Sequence, residues 1–184
     1  MSLSENPWQI TSQQKIYENP WISVTEYGVI NPSGGNGIYG KVHFKNLAIG
    51  IIPMDENGDI WLVGQYRFTL GAFSWEIPEG GSYLDQDPLD GAKRELKEET
   101  GLIASSWEKI LEIHLSNSVS DEFGIIYLAT GLVQEDAEPE ETEKLHVRKL
   151  SIKEAYQMVI NHQITDSLSV AGIQQLWIRT LEKK

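Results

Sequence analysis

The chain contains no cysteine, which rules out disulfides and thiolate metal ligands. That absence suits a reducing compartment. Histidine is scarce: His43, His114, His146 and His162 are scattered without ligand spacing, and none is assigned a catalytic role. Basic residues are also short, 15 Lys and Arg against 27 Asp and Glu, for a formal charge of −12. Gripping a nucleic-acid backbone needs a basic surface, so nucleic acid is excluded as a partner. No apolar run approaches the roughly 20 residues of a membrane helix. Nor do the first residues show a basic segment followed by an apolar one. The expectation is a soluble, cytoplasmic protein with no membrane partner. Repeats and low-complexity linkers are absent. What remains is 184 residues, enough for one domain, or one domain with an arm, around a sizeable core.

The most informative stretch is GGSYLDQDPLDGAKRELKEETGL, residues 80–102. It reads as a helix. Asp87 suits the N-cap, Pro88 the first helical position, and Asp90 the first turn, where the dipole favours negative charge. Gly101 stands where a left-handed residue ends a helix. Leu89, Ala92 and Leu96 share one face and are expected to pack inward. Glu95 and Glu99 lie one turn apart with Glu98 beside them. Like charges at that spacing cost roughly 0.2–0.5 kcal/mol per pair, and the dipole near a helix C-terminus disfavours them further. A solvated acidic face is the ordinary meaning of such a run. A hard divalent cation held by oxygen ligands would turn the repulsion into a binding site.

Residues 1–45 read as a β-rich arm. Ile22 to Thr25 alternate, Asn31 to Gly37 form a turn-rich loop, and Ile38 to Phe44 return as a strand. The aromatics Trp8, Tyr17, Trp21, Tyr27, Tyr39 and Phe44 mostly suit packing of the arm onto the body. Two other uses stand open: stacking of one or two on a nucleotide base, or a dimer contact, since a lone hairpin is marginally stable. Leu47 to Ile52 suit a strand covered on both faces. Asp55 to Asp59 form a hairpin turn, and Ile60 to Tyr66 the paired strand. Arg67 ends that strand before a loop, Phe68 to Ser74; it is either a surface ion pair or a planar fork for a diphosphate. Pro78, Gly80 and Gly81 are expected to make a tight turn that lets a backbone carbonyl face a metal.

Trp107 to Leu115 suit a strand, Ser116 to Phe123 a polar loop, and Gly124 to Thr130 a buried strand. The acidic run Gln134 to Glu143 is ordinarily a solvated loop; the alternative is a mobile carboxylate that reaches bound metals. Leu145 to Leu150 are the last strand. Ser151 to Glu154 form a capping box with Ala155, Met158 and Val159 inward. Asp166 to Ser169 cap a final helix whose inner face is expected to carry Val170, Ile173, Trp177 and Leu181.

Residues 80–102 resemble the Nudix hydrolase signature, G-x5-E-x7-R-E-U-x-E-E-x-G-U with U apolar. Gly80, Arg94, Glu95, Leu96, Glu98, Glu99, Gly101 and Leu102 match in register. Gln86 stands where the family has glutamate, and is expected to weaken metal affinity or loop order without abolishing activity. The segments Tyr17 to Trp21, Gly64 to Arg67, Trp75 to Gly80, Ser118 to Glu122 and Glu141 to Glu143 resemble the ADP-ribose pyrophosphatase and nucleoside-diphosphate-sugar hydrolase branch.

The resemblance implies an α+β Nudix fold, an α/β/α sandwich around a mixed β-sheet. It implies an N-terminal antiparallel β arm over 1–45, exchanged across a homodimer, and a Nudix domain over 46–184. Glu95, Glu98 and Glu99 with the Glu79 carbonyl are the implied ligands of Mg²⁺, with Mn²⁺ as an alternative. Glu98, a loop glutamate among Glu140, Glu141 and Glu143, and Arg94 as an orienting group are the implied catalytic set. Arg67, Glu76 and Trp21 are the implied substrate contacts. The implied reaction is hydrolysis of ADP-ribose or a related nucleotide sugar. Competing readings are a GDP-mannose-type hydrolase, a non-catalytic nucleotide-sugar sensor, and a purely structural acidic domain.

Overall fold

Alternating side chains and two asparagine turns build the first part of the chain. Strands β1 (Gln9–Glu18), β2 (Ile22–Ile30) and β3 (Asn36–Phe44) form an antiparallel sheet in that order. Asn19 Oδ1 accepts the Trp21 and Ile22 amides at 2.9 and 2.7 Å, and Asn31 Oδ1 those of Ser33 and Gly35 at 2.9 and 3.0 Å. Each side chain thus replaces a backbone acceptor and closes its turn. The computed structural model describes residues 5–135 and 145–182.

By its contacts the chain divides into two units: Met1–Asn46 with His114–Glu122, and Leu47–Ile113 with Phe123–Lys184. In the first, the 114–122 segment clips onto β3. Val42 N donates to Val119 O at 2.8 Å. Asp121 accepts from Phe44 N at 3.0 Å, Lys41 Nζ at 2.8 Å and His43 Nδ1 at 2.7 Å. A carboxylate only accepts, so His43 Nδ1 carries the proton.

The second unit holds two sheets. β5 (Asp59–Arg67) pairs antiparallel with β6 (Ala72–Glu76) and with β10 (His146–Ser151). The other sheet runs β7 (Glu79–Tyr83), β4 (Asn46–Pro53), β9 (Phe123–Gln134), β8 (Leu102–His114), with β4 and β9 parallel. This mixed sheet lies between helices. Ile49, Ile51, Ile125 and Tyr127 pack with Ala92 and Leu96 of α1 (Pro88–Thr100). On the opposite face, Ile52 and Ile126 meet α3 (Ser167–Glu182) at Gly172, where a Cβ would stand 3.2 Å from each. Ile49, Ile51, Ile52 and Ile126 are fully buried, each worth roughly 1.5–3 kcal/mol by transfer from water. The α+β class and the sandwich agree with expectation.

Helix α1 ends as its residues dictate. Asp87 accepts the Leu89 amide, and Gly101 is left-handed with φ 69°. Helix α2 (Ile152–Ile160) begins in the expected capping box and buries Ala155, Met158 and Val159. Three local expectations change. Residues 72–74 belong to β6, where Ser74 pairs with Gln65, so the loop after Arg67 is a short hairpin turn. Gly80 and Gly81 are extended within β7, neither with positive φ, so they are not a tight turn. Helix α3 buries Leu168, Ser169, Gly172, Ile173 and Leu176, whereas Val170 and Trp177 are half-buried and Leu181 is exposed. Small residues at 169 and 172 let the helix approach closely, which rotates its inner face away from the apolar stripe. No helix among the described residues is long and apolar enough to cross a membrane.

Candidate active site

Strand β7 and helix α1 lie side by side, and their contact is made by glycine and glutamate. A Cβ on Gly80 would collide with the carboxyl group of Glu95. The missing side chain therefore leaves the space that this carboxylate fills. Arg94 brackets the acidic face: its Nη2 donates to Gly81 O at 2.7 Å and to Glu95 Oε1, and its Nε lies 3.4 Å from Glu98 Oε2. Arg94 thereby ties two carboxylates of α1 to the β7 backbone. Glu99, 2% exposed, accepts the Glu79 amide on Oε2 at 3.0 Å. The last turn of α1 is thus tied to the first residue of β7. Glu98 is the more open of the three, its side chain 28% exposed.

A second cluster stands where β5, β6 and β7 converge. Arg67 Nε donates to both oxygens of Glu76 at 3.1 and 2.9 Å, and Nη2 to Glu76 Oε2 and Glu79 Oε1, each at 2.6 Å. The fork expected for a diphosphate is thus held by two protein carboxylates, leaving Nη1 with no hydrogen bond among the described residues. Glu76 is only 2% exposed and is turned onto Arg67.

Burial pushes the Glu79 carboxyl well above the usual carboxylate range; the nearby charges of Asp166 and Glu76 add to this, and Arg67 partly offsets it. Among the described residues, no hydrogen bond reaches the buried Glu79 Oε2. Asp166 lies beside it, and a bond between these two carboxyls needs a proton on one of them. Asp166 read from sequence only as a helix cap; nothing local announced that it sits next to Glu79.

Trp21 lies in the other unit, exposed in the turn between β1 and β2. Gln86 is exposed in the turn before α1, where its amide bonds to Tyr83 O at 3.1 Å. Its side chain makes no hydrogen bond among the described residues. Glu140, Glu141 and Glu143 lie outside the described residues.

The groups at the α1–β7 contact offer only oxygen: three carboxylates and the backbone carbonyls of β7. Among the described residues, no three His, Asp or Glu side chains are already gathered at ion-binding spacing. A small hard cation such as Mg²⁺ needs no such cage, because it binds one or two carboxylates and keeps waters and substrate phosphates as its other ligands. The donor set fits a hard divalent cation.

Residues 44–167 match the NUDIX domain family model. The chain is 34% identical over 178 residues to the ADP-ribose pyrophosphatase of Mycobacterium tuberculosis, covering 93% of this chain and 84% of that protein. It is 30% identical over 134 residues to the ADP-ribose pyrophosphatase of Bacillus subtilis, covering 72% of each. The solved structure of an ADP compounds hydrolase superposes with a TM-score of 0.85 over 98% of each chain at 17% identity, a likeness of fold. The chain belongs to the Nudix family, whose hydrolases generally need a divalent metal ion.

Proposed function

We propose that this chain hydrolyses the diphosphate bond of ADP-ribose or a related nucleoside diphosphate sugar, releasing a nucleoside monophosphate and a sugar phosphate. The observation that carries the reading is the acidic end of α1, where Arg94 pairs with Glu95, seated against Gly80 of β7, and with Glu98. The choice of substrate is supported by the two ADP-ribose pyrophosphatases to which the chain is similar.

Glu95, Glu98, Glu99 and the Glu79 carbonyl are the groups that would hold Mg²⁺. Bound there, the ion would neutralise phosphate oxygens and acidify its bound water. The chain's own residues do the rest. Arg94 keeps Glu95 and Glu98 aligned. Glu98, the most open carboxylate, takes the proton of the attacking water. Water oxygen bonds to one phosphorus, and the bridging oxygen leaves with the other phosphate. Arg67 offers Nη1 to the substrate while Glu76 and Glu79 fix its plane.

Exchange of the arm across a homodimer belongs to the same reading. It is supported by β1, which is exposed at all 10 of its positions and so presents a long edge suited to a second copy. A cytoplasmic setting fits the lack of cysteine.

The test is a substrate panel of ADP-ribose, GDP-mannose, other nucleotide sugars and dinucleoside polyphosphates. Each is assayed with and without Mg²⁺, with phosphatase-coupled phosphate release as the readout. Mg²⁺-dependent turnover, highest on ADP-ribose, is expected. A silent panel with measurable nucleotide-sugar binding would replace the enzyme with a sensor.

A further inference from the structure

The segment Ile77–Pro78 carries the chain from one sheet of the second unit to the other, between Glu76 at the end of β6 and Glu79 at the start of β7. Both flanking glutamates hold Arg67. The polar atoms of this crossover are fixed from three directions. Pro78 O accepts Ile51 N at 2.8 Å, from β4. Glu79 N donates to Glu99 of α1 at 3.0 Å. Ile77 N donates to Ser169 Oγ at 2.9 Å, a buried bond reaching 92 residues along the chain to α3. Ser169 is itself fully buried and set by Asp166, whose Oδ2 accepts the Ser169 amide at 2.8 Å. The Ile77 side chain is also fully buried, and it fills the place a Cβ on Gly50 would take, 2.8 Å away.

We infer that Ser169, with Asp166 behind it, is a positioning residue for the reacting centre: through Ile77 it sets where Glu76 and Glu79 present Arg67. The two faces of the mixed sheet then have different tasks. Helix α1 supplies carboxylates, and the first turn of α3 fixes the register of the crossover on which the arginine clamp depends. A hydroxyl is required at 169 because the Ile77 amide is buried and needs an acceptor. The position is read through geometry and not through contact with substrate. It therefore predicts a loss of activity that a hydroxyl at 169 restores.

The inference rests on the diphosphate-hydrolase reading for its kinetic consequence, and its structural half is tested without any substrate. The Arg67 Nε–H signal is followed by 15N NMR in the full-length wild type, S169A and S169T, with I110A as a buried control in β8. In the wild type, both Glu76 oxygens accept this proton, so slow exchange is expected. In S169A exchange should quicken by about tenfold or more as the clamp loosens, while S169T, which keeps the acceptor, and I110A stay near wild type. On ADP-ribose, a shift of the clamp in S169A should lower kcat/KM by about 10–100-fold, with S169T near wild type. Unchanged Arg67 exchange in a folded S169A, or equal quickening in I110A, overturns the inference. A wild type that turns over no substrate removes the hydrolase reading and leaves the NMR comparison to decide this one.

Discussion

Gly80 and Glu95 occupy one space: the glutamate carboxyl sits where a side chain at position 80 would begin. Because Gly80 is extended and its φ is not positive, backbone strain is not the reason for glycine here. G80A should therefore fold, with a melting temperature close to wild type, yet push Glu95 off its seat and off Arg94. Turnover is expected to fall by about 10–100-fold, with the Mg²⁺ midpoint raised. A metal titration of activity beside a thermal melt checks this, and a G80A enzyme with wild-type metal response would show that the contact does not set the ligand.

That pair also marks where the sequence stopped being readable. Helix α1 was legible because its signals are local: Asp87, Pro88 and Gly101 act within one turn of where they stand. Gly80 looked like a turn residue because its true neighbour is Glu95, fifteen positions on and in another element. The α3 face was misplaced for the same reason. Gly172 is small to admit Ile52 and Ile126, a demand set by β4 and β9 and invisible to an apolar stripe. Arg67 and Glu76 were each picked out, but their pairing depends on β6 returning beside β5, and the Phe68–Ser74 segment read as loop. The Nudix signature placed the carboxylates, while the α3 contacts of the crossover had no sequence signal beyond a helix cap.

The Arg67 clamp can be tested by stability. R67A leaves Glu76, 2% exposed, without its counter-charge. Breaking a buried pair from one side costs about 3–5 kcal/mol, and urea unfolding should show a loss in that range. R67K should recover only part of it, because an ammonium is a point charge and cannot span both oxygens of Glu76. A loss below about 1 kcal/mol in R67A would place the pair among surface ion pairs.

Asp121 gives the first unit a pH signature. Burial opposes its charge, but hydrogen bonds from Lys41, His43 and the Phe44 amide win and hold its pKa at about 2, against an ordinary 3.8. A depressed folded pKa adds stability above the unfolded value, and that stability is lost as pH falls through the folded one. D121N should thus melt below wild type at neutral pH, and the gap should close as pH drops from 3.8 toward about 2. Thermal melts of both proteins across that window test it, and a constant gap would mean that the carboxylate charge is not what holds the 114–122 segment to β3.

Glu99 separates folding from metal binding, because the carboxylate proposed to hold the ion also accepts a backbone bond. Its Oε2 accepts the Glu79 amide at 3.0 Å, and a glutamine carbonyl can accept the same bond. E99Q should therefore keep the α1–β7 contact, with circular dichroism and melting close to wild type. What it removes is the negative charge that would face a divalent cation. Losing one preorganised electrostatic group at a reacting centre costs about 10²–10³-fold in kcat, so turnover of ADP-ribose should fall by that order and its Mg²⁺ midpoint should rise. Mn²⁺ binding followed by electron paramagnetic resonance reads the same loss without substrate. If a folded E99Q binds Mn²⁺ and turns over like wild type, Glu99 is a structural hydrogen-bond acceptor, and the ion belongs to Glu95 and Glu98 alone.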